Sequence, residues 1–284
     1  MYEEVIISAI AIISLIIATI TDLKSREVPD YLSYFLIISG FTFRFFYSVL
    51  NNNWYYFLYG IIGFSICFCI GLLLYLTKQW GGGDSKLLMG LGIIFATKPF
   101  FVSDQNLFLL NLILNIFVAG ALYGLFYAIY LAYKHRNNFI KEFKRLINED
   151  KIRFARIFSF IISIILFGLI LISNDIATKI ILSGFIIFIL FYVHLWIFVR
   201  SVENACMFKI VPVSKLIEGD WVADDIIVNK KIIYNKTKLF VEKKDILMFI
   251  KYNVKKVKIK EGIPFVPSFL IGTLFSLIFR IGLF

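Results

Sequence analysis

The stretch Gly81-Gly82-Gly83-Asp84-Ser85-Lys86 separates two long apolar runs. Three successive glycines do not sustain a helix, so the backbone breaks or turns there. The break leaves a carboxylate at the edge of an apolar run, where ionisable groups are costly and mark function. Working outward toward the N-terminus, the first apolar run ends in the same way, at Thr21-Asp22. A short basic loop follows with Lys24 and Arg26. Pro29 stops any continuing helix and suits the first turn of the next one, which Asp30 is expected to cap.

Composition sets the class. Of 284 residues, 60% are hydrophobic and only 17% charged, more apolar surface than a soluble domain of this size buries. Several runs are long enough to cross a bilayer. The reading is an all-α polytopic membrane protein. About eight transmembrane helices are expected, with a small cytoplasmic α/β or β-rich insert before the last. The first run follows Glu3 and Glu4, not a basic region, so no cleavable signal peptide is expected. The net charge of +11 is explained by loops facing the cytoplasm, without nucleic acid as a partner. Cys67, Cys69 and Cys206 form no paired motif, so neither a metal site nor a disulfide framework is expected.

In chain order, 1–133 reads as a five-helix core, with spans at 5–21, 31–50, 54–77, 86–102 and 107–133. Ser103–Asn106 would turn between the last two. Arg44 stands inside the second span, to snorkel outward or to pair within the bundle. Asn111 and Asn115, and Gly120 with Gly124, read as packing devices. Residues 134–156 form a basic cytoplasmic loop, with eight Lys/Arg against three acids and room for a short surface helix. Two further spans fill 157–199, where His194 reads as a hydrogen-bonded packing residue. Residues 200–262 form the insert, with strands at Val222–Val228 and Lys231–Val241, a turn at Asn235–Thr237 and a helix at Asp245–Tyr252. The last span is 263–284.

With eight spans and the N-terminus outside, the outside loops 51–53, 103–106 and 174–177 contain no Lys or Arg. The basic loops then lie inside. The same count puts Asp22 and Asp84 on the cytoplasmic side, although the aspartates played no part in it.

Two neighbouring carboxylates do not both ionise cheaply, so they share a proton. One then serves as base toward water while the other polarises a peptide carbonyl. That is aspartyl proteolysis, with no cofactor. Glycines beside Asp84 would let a substrate backbone come close. Helix ends also suggest an order within the pair. Asp22 closes a helix and Asp84 opens one, so the dipoles and Lys86 favour charge on Asp84. Paired membrane carboxylates also serve ion or proton transport, but such sites usually lie near the midplane.

Gly81-x-Gly83-Asp84 resembles the GxGD motif of membrane aspartyl proteases. Asp22-x5-Val28-Pro29-Asp30 and Asp84-x-Lys86 resemble the type IV prepilin peptidases, above all the archaeal branch with the preflagellin (prearchaellin) peptidases. Val211-Pro212, Glu218-Gly219-Asp220-Trp221 and Glu261-Gly262-Ile263-Pro264-Phe265-Val266-Pro267 resemble the C-terminal region of longer archaeal members. The resemblance implies a multi-pass cell-membrane endopeptidase that cleaves class III signal peptides from prepilin or prearchaellin precursors at the cytoplasmic face. It implies Asp22 and Asp84 as the catalytic pair, with Gly81, Gly83 and Lys86 in support. The cysteine-rich insert of the methylating bacterial relatives is absent, so methyl transfer is not expected. A presenilin-like protease is the alternative, but its first motif is normally Tyr-Asp, where this chain has Thr21-Asp22.

Overall fold

The computed structural model describes residues 2–96, 108–228, 231–238 and 240–279. Among these, six helices are long and apolar enough to cross a membrane. They are α1 (Tyr2–Ser25), α2 (Asp30–Leu50), α3 (Trp54–Leu76), α5 (Phe108–Lys134), α7 (Asp150–Ile172) and α8 (Ile176–Val202). Two shorter helices, α4 (Gly82–Ile94) and the apolar α10 (Val266–Phe279), fall where the fourth and eighth spans are expected. The expected turn at 103–106, the end of span four and the last residues of span eight lie outside the described residues.

The chain forms two compact units. The first comprises Met1–Phe126, Thr237–Leu239 and Gly262–Phe284, and the second Tyr127–Lys236 and Phe240–Glu261. In the first, α1, α2, α3, α4, the start of α5 and α10 enclose one core that includes Leu15, Leu36, Leu88, Leu112 and Phe269. Glycines set its closest approaches. A Cβ on Gly92 would stand 2.6 Å from the Gly63 carbonyl oxygen and 2.7 Å from the Cys67 side chain, so α3 and α4 touch backbone to backbone. Gly272 meets the Ile116 backbone in the same way, and beside it Asn115 donates to Ser276 across α5 and α10 at 2.8 Å. Gly120 accommodates the Phe265 ring, not another helix, and a Cβ on Gly124 would meet nothing within 4 Å among the described residues. The expected pair of packing glycines therefore reduces to one.

Arg44 resolves inward. It is 2% exposed and donates to the carbonyls of Ile93, Ile94 and Ala96 and of Tyr56. These include carbonyls at the C-terminal end of α4, which lack partners within their own helix and favour a cation.

In the second unit, the expected basic loop at 134–156 is mostly helical. It contains α6 (Arg136–Ile147) and the start of α7. The apolar side of α6, with Phe139, Phe143 and Leu146, packs on Phe198 and Ile197 of α8. Helix α8 also runs past residue 199, and His194 Nδ1 lies 2.7 Å from the Leu190 carbonyl oxygen one turn back.

The region after α8 is β-containing as expected, but its pairing differs. A three-stranded antiparallel sheet joins β1 (Phe208–Pro212), β5 (Lys256–Lys260) and β2 (Trp221–Val222) in the order β1-β5-β2. A separate hairpin pairs β3 (Ile226–Val228) with β4 (Lys231–Tyr234). The strand expected to reach Val241 thus ends at Tyr234, and β1 and β5 were not expected. Val257 and Ile259 of β5 point into a small core with Val222, Tyr234 and Phe249, while the alternate lysines point out. Helix α9 (Lys243–Lys251) contributes Phe249, and the Asp245 carboxylate accepts the Glu242 N–H at its start.

Candidate active site

Helix α1 does not stop at Asp22. It continues for almost one turn to Ser25, so Asp22 lies inside the helix and is 5% exposed. Arg26 then ends the helix in the left-handed region, φ 59°, with its N–H bonded to the Asp22 carbonyl at 2.8 Å. The Asp22 carboxylate accepts the N–H of Val266, the first residue of α10, at 2.9 Å. That N–H is one of the donors a helix start cannot satisfy internally.

Asp84 lies in the first turn of α4, and its carboxylate turns back to accept the Gly81 N–H at 3.1 Å. Gly81 is extended, and Gly82 and Gly83 are already helical. The residue with positive φ in this bend is Lys78, at 59°. The glycines therefore serve space, not backbone freedom. A Cβ on Gly83 would lie 2.8 Å from the Val28 Cβ, so Gly83 is filled by the protein's own loop and is not open to a substrate. At Gly81 the nearest atom to such a Cβ is the Asp84 carboxylate itself, 3.5 Å away, which leaves room beside the acid.

Helices α1 and α4 pack in the same unit, and the charge of Asp22 reaches Asp84. The neighbours of α4 hold this placement. Ser85 Oγ donates to the Gly71 carbonyl of α3 at 2.9 Å, and Trp80, just before the glycines, packs on Phe117, Phe265 and Phe269.

Lys86 does not face Asp84. Its ammonium pairs with Asp30 at 2.6 Å and lies over the Tyr34 ring. Asp30 in turn makes no capping bond; Pro29 occupies the cap position of α2. The helix-end argument changes as well. Asp22, expected only at the closing end of α1, also faces the start of α10, so dipoles no longer separate the two acids. The contribution of α10 carried no sequence signal, since a backbone N–H is the same in every residue but proline.

Residues 9–129 match the type IV leader peptidase family. The chain is similar to the preflagellin peptidase of Methanocaldococcus jannaschii, 42% identical over 82 residues, covering 29% of this chain and 35% of that protein. It is also similar to the preflagellin peptidase of Methanococcus voltae, 33% identical over 139 residues, covering 47% and 59%. A prepilin peptidase of Methanothermobacter thermautotrophicus is 25% identical over 154 residues, covering 50% and 40%. The matches thus span less than two thirds of each of these relatives. No solved structure matches the chain. The segment 9–129, which contains both Asp22 and Asp84, is thus the part of the chain that is similar to the type IV leader peptidase family.

Proposed function

We propose that this protein is a multi-pass membrane aspartyl endopeptidase that removes class III signal peptides from preflagellin (prearchaellin) or prepilin precursors. The observation that carries the reading is the placement of Asp22 on α1 and Asp84 in the first turn of α4, two helices packed in one unit, within the segment that matches the family. Similarity to preflagellin and prepilin peptidases supports the substrate class.

In this reading the pair holds one proton. The ionised member takes a proton from water as the water attacks the scissile carbonyl, while the protonated member donates a hydrogen bond to the carbonyl oxygen. The open space at Gly81 admits the substrate backbone beside Asp84. We place the site at the cytoplasmic face of the cell membrane, with α4 and α10 as the fourth and eighth spans. The absence of Lys and Arg from the loops at 51–53, 103–106 and 174–177 supports this orientation.

The test is cleavage by the purified protein in lipid of a panel of preflagellins and prepilins, with ion flux measured in the same vesicles. Cleavage at the leader junction is expected. Ion flux without cleavage would replace this reading with transport.

A further inference from the structure

Resting on that reading, we propose that Gly262–Phe269 is a third element of the catalytic centre, and that Arg26 is the positioning residue that fastens it to Asp22. Two bonds tie this segment to the end of α1. Asp22 Oδ2 accepts the buried N–H of Val266 at 2.9 Å. One turn on, the Arg26 guanidinium donates to the Gly262 carbonyl at 2.8 Å. The segment is stiffened between these points by Pro264 and anchored by Val266 and Phe269, both 0% exposed.

The same segment reaches the second motif. The rings of Phe265 and Phe269 each lie 5.2 Å from Trp80, which immediately precedes the glycines of Asp84. Phe265 also fills the space that a side chain at position 120 would take. Thus one stretch of chain holds the first carboxylate through a backbone bond and the loop of the second through aromatic packing.

Arg26 bears a cost for this position. Its φ of 59° is one that glycine adopts freely and arginine does not. The helix stop alone would be served better by glycine. The guanidinium is what glycine lacks, and its partner is the carbonyl four residues before the N–H that holds Asp22. Arg26 thus fixes the segment whose N–H holds the Asp22 carboxylate, and misplacement on the ångström scale lowers turnover more than substrate binding.

Arg26→Gly separates fastening from folding, because it relieves the backbone while removing the guanidinium. Measured on the full chain in lipid, kcat should fall roughly 10- to 100-fold with KM within about twofold, and the thermal unfolding midpoint should be unchanged or higher. Arg26→Lys, which keeps one donor for Gly262, should recover part of kcat. Val266→Pro removes the N–H that Asp22 accepts, at a helix start where proline is tolerated, and should lower kcat in the same way. Wild-type kcat in Arg26→Gly overturns the proposal, as does loss in Arg26→Gly that Arg26→Lys does not relieve. Asp22→Asn is assayed alongside. If it remains active the proteolytic reading itself fails, whereas an inactive Asp22→Asn with a fully active Arg26→Gly rejects only the positioning role.

Discussion

Helices α1–α4 of the first unit and the α7–α8 pair of the second are built from similarly apolar sequence, yet they pack to different ends. A third of the apolar window in α1 and in α2 is buried, against 11% in α7 and 6% in α8. The first group is knitted by glycine contacts and by buried Arg44, Ser85 and Asp22. In the pair, Gly168 and Gly184 meet nothing, and Ile, Leu and Phe side chains face outward along most of both helices. Apolarity alone places a segment in the membrane; small residues and satisfied polar groups decide whether it becomes a rigid frame. The candidate site lies in the framed group.

Substitutions can break this contrast. The largest stability loss is expected from Arg44→Leu. It removes the donor from the carbonyls at 93, 94 and 96 around the end of α4, at about 1–3 kcal/mol for each left without one. Thermal unfolding in detergent should show a large drop; an unchanged midpoint would mean that Arg44 is not the clasp of α4.

Next is Gly92→Ala, whose Cβ meets the Gly63 carbonyl and Cys67 and should cost about 1–3 kcal/mol. Gly184→Ala, facing open space, should be neutral or stabilising by up to ~1 kcal/mol. Equal effects at the two positions would erase the distinction between frame and pair.

Gly83→Ala should act on the site itself. Its methyl displaces Val28, and cleavage should fall roughly tenfold or more. Val28→Gly in the same chain should restore part of that loss, which a double-mutant cycle measures. Additive losses would show that Gly83 and Val28 do not share the space.

The smallest effect belongs to Asp30→Asn. Asp30 is 64% exposed in its pair with Lys86, so the stability change should stay within about 1 kcal/mol and shrink further in high salt.

The sequence made some of this frame plain and hid the rest for physical reasons. Apolar runs and turn residues located most of the long helices to within a few residues, although α7 begins inside the expected basic loop. The carboxylates stood out because one follows a run of three glycines and the span count puts both on one side of the membrane. Arg44 was visible as an anomaly, but its partners are carbonyls far along the chain, and carbonyls carry no residue identity. The role of Gly83 was misread for a related reason: a glycine run signals a bend, while the neighbour that requires the missing side chain, Val28, lies in another loop. Lys86 looked like a companion of Asp84 by adjacency, yet the first turn of α4 points it toward Asp30. In the second unit, β5 alternates Val257 and Ile259 with lysines, but its partner β1 precedes it by a whole hairpin and helix, so the pairing was not local enough to read.

The account depends most on Asp22 and Asp84 working as one unit. The direct test is precursor cleavage by purified Asp22→Asn and Asp84→Asn proteins in lipid, with insertion and thermal unfolding verified for each. Each substitution alone should abolish cleavage while the protein remains folded, because a lone carboxylate has no partner with which to share the proton. Full cleavage by either variant would contradict the account.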